Sequence, residues 1–143
     1  MGSLRLFAVT ALIVLLSGCE EYRITLPNGW ILEQWSGGDH VIFKTDTEKR
    51  IQNLIGPTVE AYGVVDNVVA GRVAPHLRAE WPPDLPVPKG GYFVVETATG
   101  RVWHGLDEAA WRQRLRDLGV TEEPRLQRPT RHDRQYGPQP AAS

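Results

Sequence analysis

Apolar and polar residues alternate with a period of two along much of the chain beyond residue 20, as they do in β-strands that bury one face. The alternation predicts seven strands, at 22–26, 30–35, 40–44, 58–65, 68–73, 91–96 and 101–104. A weaker apolar segment covers residues 51–55. The Asp66-Asn67 link between two β-branched runs indicates a tight hairpin. A second hairpin is predicted over 97–100, with Gly100 taking the positive φ that the turn requires.

One helix is predicted, at about 107–118. Asp107 is a favourable N-cap residue, and Leu106 and Trp111 have the spacing of a hydrophobic staple. Gly119 stands where helices commonly end in a left-handed residue. The apolar stripe that would face the sheet consists of Trp111, Leu115 and Leu118.

These elements predict an α+β fold with an antiparallel, meander-like β-sheet and one C-terminal helix. Residues 19–123 would form a single globular domain. Residues 74–90 contain five prolines and no periodic pattern, which predicts a long surface excursion. Residues 124–143 hold four prolines, four arginines and almost no apolar side chains, so we predict a disordered C-terminal tail. Residues 91–120 resemble the strand–turn–strand–helix ending of small bacterial proteins of unknown function, a resemblance that concerns fold only.

The first eighteen residues have the layout of an export signal. Arg5 supplies a positive charge, residues 6–16 are an eleven-residue apolar run, and two small residues follow. A membrane-spanning helix needs about 20 apolar residues, so this run is too short to span. The tetrad Leu16-Ser17-Gly18-Cys19 resembles the lipobox of bacterial lipoproteins. The resemblance implies that residues 1–18 are a signal peptide, cleaved before Cys19, and that Cys19 then carries acyl chains.

The resemblance also implies a location outside the cytoplasm, on a membrane. In Gram-negative lipoproteins, an aspartate just after the lipidated cysteine favours retention in the inner membrane. This chain has Glu20 there, which favours the outer membrane, facing the periplasm, if the host is Gram-negative. Because the first predicted strand begins at Tyr22, the folded part would start within a few residues of the bilayer.

Charge and cysteine content exclude one class of partner and one source of stability. Beyond residue 18 the chain has 15 Lys and Arg against 17 Asp and Glu. This balance gives no basic field and argues against a nucleic-acid partner. A single cysteine excludes an intramolecular disulfide, so the fold must rest on packing.

No local motif indicates catalysis, a metal or a cofactor. Ser36, Asp39 and His40 include the residue types of an acyl-transfer triad, but three residues within five positions of one loop rarely adopt that geometry. We therefore expect no catalytic residue, metal or cofactor, although a site assembled from distant positions stays open. The histidines are not spaced as a metal motif would have them; they are His40, His76, His104 and His132.

Two features could contact a partner. Trp81 lies in a stiff Pro-rich loop, where its ring would be either an exposed contact anchor or a plug folded back onto the domain. Four arginines follow at threefold spacing and would project along one edge of an extended polyproline II segment; they are Arg125, Arg128, Arg131 and Arg134. Such an edge suits anionic lipid headgroups or another envelope protein, and a solvated terminus is the alternative.

These observations favour a membrane-anchored envelope lipoprotein that acts as a non-enzymatic binding or structural module. The alternative is a small hydrolase or ligand-binding protein whose site is assembled from distant residues. A deep pocket with converging polar groups would favour the alternative, and a shallow surface centred on Trp81 would favour the first class.

Overall fold

A computed structural model describes residues 21–35, 37–75 and 90–137. The described residues form eight β-strands, one short 3-10 turn at Pro27–Gly29 and one α-helix. The first four strands are β1 (Arg23–Thr25), β2 (Ile31–Gln34), β3 (His40–Thr45) and β4 (Ile51–Ile55). The elements that follow are β5 (Val59–Val65), β6 (Val68–Val73), β7 (Gly91–Glu96), β8 (Arg101–Leu106) and α1 (Glu108–Asp117).

The strands form two antiparallel sheets, each a meander in which neighbours in sequence are neighbours in space. Sheet A has the order β1-β2-β3-β4, and sheet B has the order β5-β6-β7-β8. In sheet A, Leu32 pairs with both Ile24 and Ile42. In sheet B, Val69 lies between Val64 and Val95. The predicted α+β class with antiparallel meanders and a C-terminal helix is confirmed, and the strands divide into two sheets of four.

The main core lies between the two sheets. Its largest members from sheet A and the adjoining turn are Trp30, Leu32 and Ile42, all fully buried. Sheet B contributes Phe93 and Val95 from β7, which are two residues apart and therefore point to the same face. Apolar side chains from both sheets thus share one cluster, and their burial drives the sheets together.

The opposite face of sheet B is covered by α1. A second cluster joins Val68, Ala70 and Val94 of the sheet to Trp111 and Leu115 of the helix. The indole Nε1 of Trp111 also donates a hydrogen bond to the carbonyl oxygen of Phe93 over 3.1 Å, so its one polar group is satisfied inside the cluster. The domain therefore has three layers, with sheet B between sheet A and the helix.

Both ends of α1 follow the sequence prediction. The Asp107 side chain accepts a hydrogen bond from the backbone N–H of Ala110 over 2.7 Å. At the other end, Gly119 has a φ of 77° and the N–H of Val120 donates to the carbonyl of Leu115 over 3.0 Å. The chain therefore turns back and buries Val120 against the helix.

The expectation that disorder begins at residue 124 is wrong for residues 124–137, which we call the C-terminal segment. This segment runs along both sheets, and its prolines 124 and 129 are buried. Tyr62 and Gln127 exchange two backbone hydrogen bonds of 3.0 and 2.9 Å. Farther on, the N–H of Tyr136 donates to the carbonyl of Thr25 over 2.7 Å. The segment was predicted to be disordered because it lacks periodicity, but hydrogen bonds and two buried rings hold it without any regular element.

Several predicted features lie outside the described residues. They are the export signal with Cys19, the Trp81 loop and residues 138–143. Across the described ranges, no helix has the length and apolar character needed to cross a bilayer.

Candidate binding cleft

A cleft of about 850 Å³ opens where one end of sheet A meets the start of sheet B and the C-terminal segment. Its wall from sheet A and the preceding residues includes Tyr22, Gln34 and His40. Sheet B contributes the start of β5 and Arg72 of β6. The C-terminal segment closes the third side with residues 128–132. Three parts of the chain that are distant in sequence therefore form one concave polar surface, the kind of place where ligands bind.

A tyrosine and a histidine form a pair on the sheet A side. Tyr22 Oη and His40 Nε2 share a hydrogen bond of 2.6 Å, and the two rings lie 5.6 Å apart between centroids. The pairing of β1, β2 and β3 brings them together, because Tyr22 just precedes β1 and His40 begins β3. Burial lowers the pKa of His40 and raises the pKa of Tyr22, so both groups favour their neutral forms.

Asp39 and His40 do not form the hydrogen bond that an acyl-transfer triad needs. Asp39 accepts a hydrogen bond from the Thr58 hydroxyl over 2.7 Å, whereas His40 bonds Tyr22. Ser36 lies outside the described residues. Asp39 therefore ties the loop before β3 to the residue before β5 and does not orient a histidine through a hydrogen bond.

The C-terminal segment brings two arginines and a histidine to the cleft. Arg128, Arg131 and His132 line the cleft, and Arg128 and Arg131 are exposed. The backbone here is fixed by a turn in which Asp133 accepts hydrogen bonds from the hydroxyl and the N–H of Thr130, at 2.6 and 3.1 Å. The turn sets the positions of Arg128, Arg131 and His132 relative to Tyr22 and His40.

Asp133 stabilises that turn through its hydrogen bonds with Thr130. Its second role is to accept a hydrogen bond from the Tyr62 hydroxyl over 2.6 Å. Burial opposes ionisation of Asp133, but the hydrogen bonds from Thr130 and Tyr62 outweigh it and hold the pKa of Asp133 below its usual value. Burial also raises the pKa of Tyr62, and the bond to Asp133 raises it further, so Tyr62 keeps its proton. Three donors thus satisfy the Asp133 carboxylate, which is not among the cleft's lining residues.

The four arginines predicted to share one edge do not do so. Arg128 and Arg131 line the cleft, while Arg125 and Arg134 are not among its lining residues. Arg134 instead lies over the ring of Tyr136, 5.0 Å from its centroid. The turn at Thr130 to Asp133 interrupts the extended conformation that threefold spacing would need. The prediction of one continuous cationic edge is therefore wrong, although two of its members face a common cleft.

In the sequence, His40 and His132 stand far apart and nothing singles out Tyr22. No spacing signal connects these residues, because strand pairing and the C-terminal segment bring them to one cleft. Across the described ranges, no group of three or more His, Cys, Asp or Glu side chains is arranged to hold a metal ion.

A second cleft of about 410 Å³ lies beside the β5–β6 turn and the end of α1. Its charged lining residues are all carboxylates, namely Asp66, Glu96 and Glu122. The two clefts therefore differ in the charge of their lining residues.

Comparison with known proteins identifies no relative of this chain. No family model matches the chain, and neither a curated protein nor a solved structure matches it. The fold and the cleft define the class of protein as a small α+β domain of two four-stranded meanders and one helix, with a polar, cationic cleft.

Proposed function

We propose that the protein is an extracytoplasmic lipoprotein, anchored through an acylated Cys19, and that its domain is a non-enzymatic binding module. The lipobox-like Leu16-Ser17-Gly18-Cys19 and the preceding apolar run support the anchor. Two or more acyl chains hold a protein stably at a bilayer, because each buried methylene contributes about 0.8 kcal/mol.

The observation that most supports a binding role is that the cleft begins only a few residues after Cys19. Tyr22 lines the cleft and stands only three residues after Cys19. Three residues of extended chain span at most about 11 Å. An acylated Cys19 would therefore hold the cleft at the level of the lipid headgroups, and a module so close to the bilayer would bind ligands or envelope partners there.

A hydrolase is the second candidate, and the cleft's polar residues from distant positions are the feature that favours it. Hydrolysis through a covalent intermediate requires a nucleophile hydrogen-bonded to a base. Within the described ranges, His40 bonds Tyr22, and the cleft's threonines bond Asp39 and Asp133. This arrangement supports binding rather than acyl transfer.

The anchor is tested by expressing the full chain in bacteria supplied with labelled palmitate. We expect the wild type to carry label and to sediment with membranes. Cys19→Ala should carry none and should retain residues 1–18, seen as a larger mass, while Thr10→Ala, a control within the apolar run, should be labelled normally. Equal labelling of wild type and Cys19→Ala, or no label on either, would overturn the proposal. In a Gram-negative host, Glu20→Asp should move the labelled protein towards the inner membrane.

A further inference from the structure

The charges that line the main cleft are mostly cationic. Arg72, Arg128 and Arg131 line it, and Glu60 is the one carboxylate among its lining residues. Glu60 is already paired with Arg72, at 2.9 Å between Arg72 Nε and the carboxylate oxygen. We infer that the cleft binds a phosphate-bearing anion through Arg128 and the Tyr22–His40 pair, and that at the membrane this anion is a phospholipid headgroup.

Arg128 is the residue best placed to meet the anion. It is exposed, and among the described residues no carboxylate lies within salt-bridge distance of its guanidinium. Guanidinium groups bind phosphate through two parallel N–H donors, which gives both strength and orientation. Arg128 also acts on His40 at a distance, since its charge opposes protonation of the imidazole. An anion between them would offset that repulsion.

The nearby carboxylates do not occupy this position. Asp39 is bonded to Thr58 and Asp133 to Thr130 and Tyr62, and neither carboxylate lines the cleft. Each negative charge is held by hydroxyl or N–H donors, and both charges favour protonation of His40, against the effect of Arg128. The face presented to a ligand keeps the guanidinium of Arg128, the imidazole of His132 and the Tyr22–His40 pair.

The source of the phosphate rests on the proposed function. If Cys19 is acylated, the short link to Tyr22 places the cleft at the depth of headgroup phosphates. Without the anchor, the same groups would meet a soluble phosphate ester or inorganic phosphate. The chemistry is shared, so an experiment must separate the two sources.

The test uses the full chain purified in uncharged detergent. Equilibrium dialysis measures the binding of labelled inorganic phosphate and of glycerol 3-phosphate. Arg128→Gln should weaken saturable binding by about tenfold to a hundredfold, which is the range for loss of a charge-assisted hydrogen bond. Arg125→Gln is the matched control, because Arg125 is exposed on the same segment but is not a lining residue of the cleft. Its binding should stay within about twofold of the wild type.

Site-resolved labelling with phenylglyoxal, an arginine reagent, separates the sources when the full chain is anchored in vesicles. If the ligand is a headgroup, Arg128 should be labelled more slowly in phosphatidylglycerol vesicles than in phosphatidylcholine vesicles without added phosphate, while Arg125 is labelled alike in both. If the ligand is a soluble phosphate, Arg128 should be protected only when phosphate is added, and equally in the two kinds of vesicle. Absence of saturable binding in dialysis by the wild type, or equal losses in Arg125→Gln and Arg128→Gln, would overturn the cleft as a phosphate site.

The two experiments distinguish a missing phosphate site from a missing acyl anchor at Cys19. Arg128→Gln leaves palmitate labelling unchanged under either outcome. An unlabelled wild type that still binds phosphate through Arg128 would keep the site and remove only the headgroup as its source. Far-UV circular dichroism of Arg128→Gln should match the wild type, because Arg128 is exposed and its substitution removes no buried contact.

Discussion

The hydroxyl of Tyr62 donates a hydrogen bond to Asp133 Oδ2 over 2.6 Å and so joins the middle of β5 to the C-terminal segment. The backbone of Tyr62 also exchanges both of its hydrogen bonds with Gln127. One strand residue thus fixes the segment through its side chain and its main chain. The cationic wall of the cleft, residues 128–132, lies between these two attachments.

Tyr62→Phe should therefore destabilise the domain by about 1–2 kcal/mol, because it leaves the partly buried Asp133 short of one donor. The matched control is Tyr136→Phe. Tyr136 packs against the same core, and within the described residues its hydroxyl has no hydrogen bond. Urea denaturation measures both variants. Equal midpoints for Tyr62→Phe and the wild type would mean that the bond to Asp133 contributes nothing to stability.

Gly63→Ala should displace the C-terminal segment. A Cβ at this position would lie 2.7 Å from the carbonyl oxygen of Arg125 and 3.2 Å from the Pro124 ring. Forcing extra atoms into a packed site costs about 1–3 kcal/mol, and here the segment is the part that can move. We expect faster trypsin cleavage after Arg125 and Arg131, since a segment released from the sheet is open to proteases.

Gly137→Ala is the control for that experiment, because a Cβ there meets nothing within 4 Å. Its cleavage rate should equal that of the wild type. If Gly63→Ala were also cleaved at the wild-type rate, the close approach of Arg125 to β5 would not hold the segment in solution.

Much of the fold could be predicted from local patterns. Alternation located the strands, and the features between Asp107 and Gly119 located the helix, because these signals lie within a few residues of each other. The division into two sheets could not be predicted, since alternation specifies which face of a strand is buried but not which strands pair. In the core, Leu32 and Phe93, which lie in different sheets, share one cluster.

The cleft could not be predicted from the sequence for a related reason. Tyr22 meets His40 only through strand register, and His132 reaches them only because the C-terminal segment is ordered. That segment has the composition of a disordered tail, rich in proline and arginine. Its order depends on backbone pairing with Tyr62 and on two buried prolines, neither of which leaves a periodic pattern in the sequence.

The helix should contribute to stability through packing and capping. Leu115→Ala should cost about 2–5 kcal/mol, because Leu115 is 3% exposed and its removal leaves a cavity against sheet B. Asp107→Ala should cost about 1 kcal/mol through loss of the cap to Ala110. Arg116→Ala, on the exposed face, should change stability by less than about 0.5 kcal/mol. Denaturant midpoints that do not separate Leu115→Ala from Arg116→Ala would contradict the docked helix.

The last prediction concerns the protonation of His40. Burial lowers its pKa, the charge of Arg128 lowers it further, and the carboxylates of Asp39 and Asp133 partly offset both effects. In the unfolded chain a histidine has a pKa of about 6.5. The unfolded state therefore takes up a proton at a higher pH than the folded state, so stability falls as the pH drops through about 6.5.

His40→Gln keeps a side chain that can hydrogen-bond Tyr22 but does not titrate, so it should lose less stability than the wild type between about pH 7.5 and 5.5. The other histidines are present in both proteins and cancel in the comparison. An NMR titration of the His40 ring protons should give a pKa below 6.5, and Arg128→Gln should raise it by removing a nearby positive charge. Phosphate bound beside Arg128 should raise it as well. A His40 pKa at or above the unfolded value, or one that Arg128→Gln does not move, would mean that the two side chains do not share the cleft in solution.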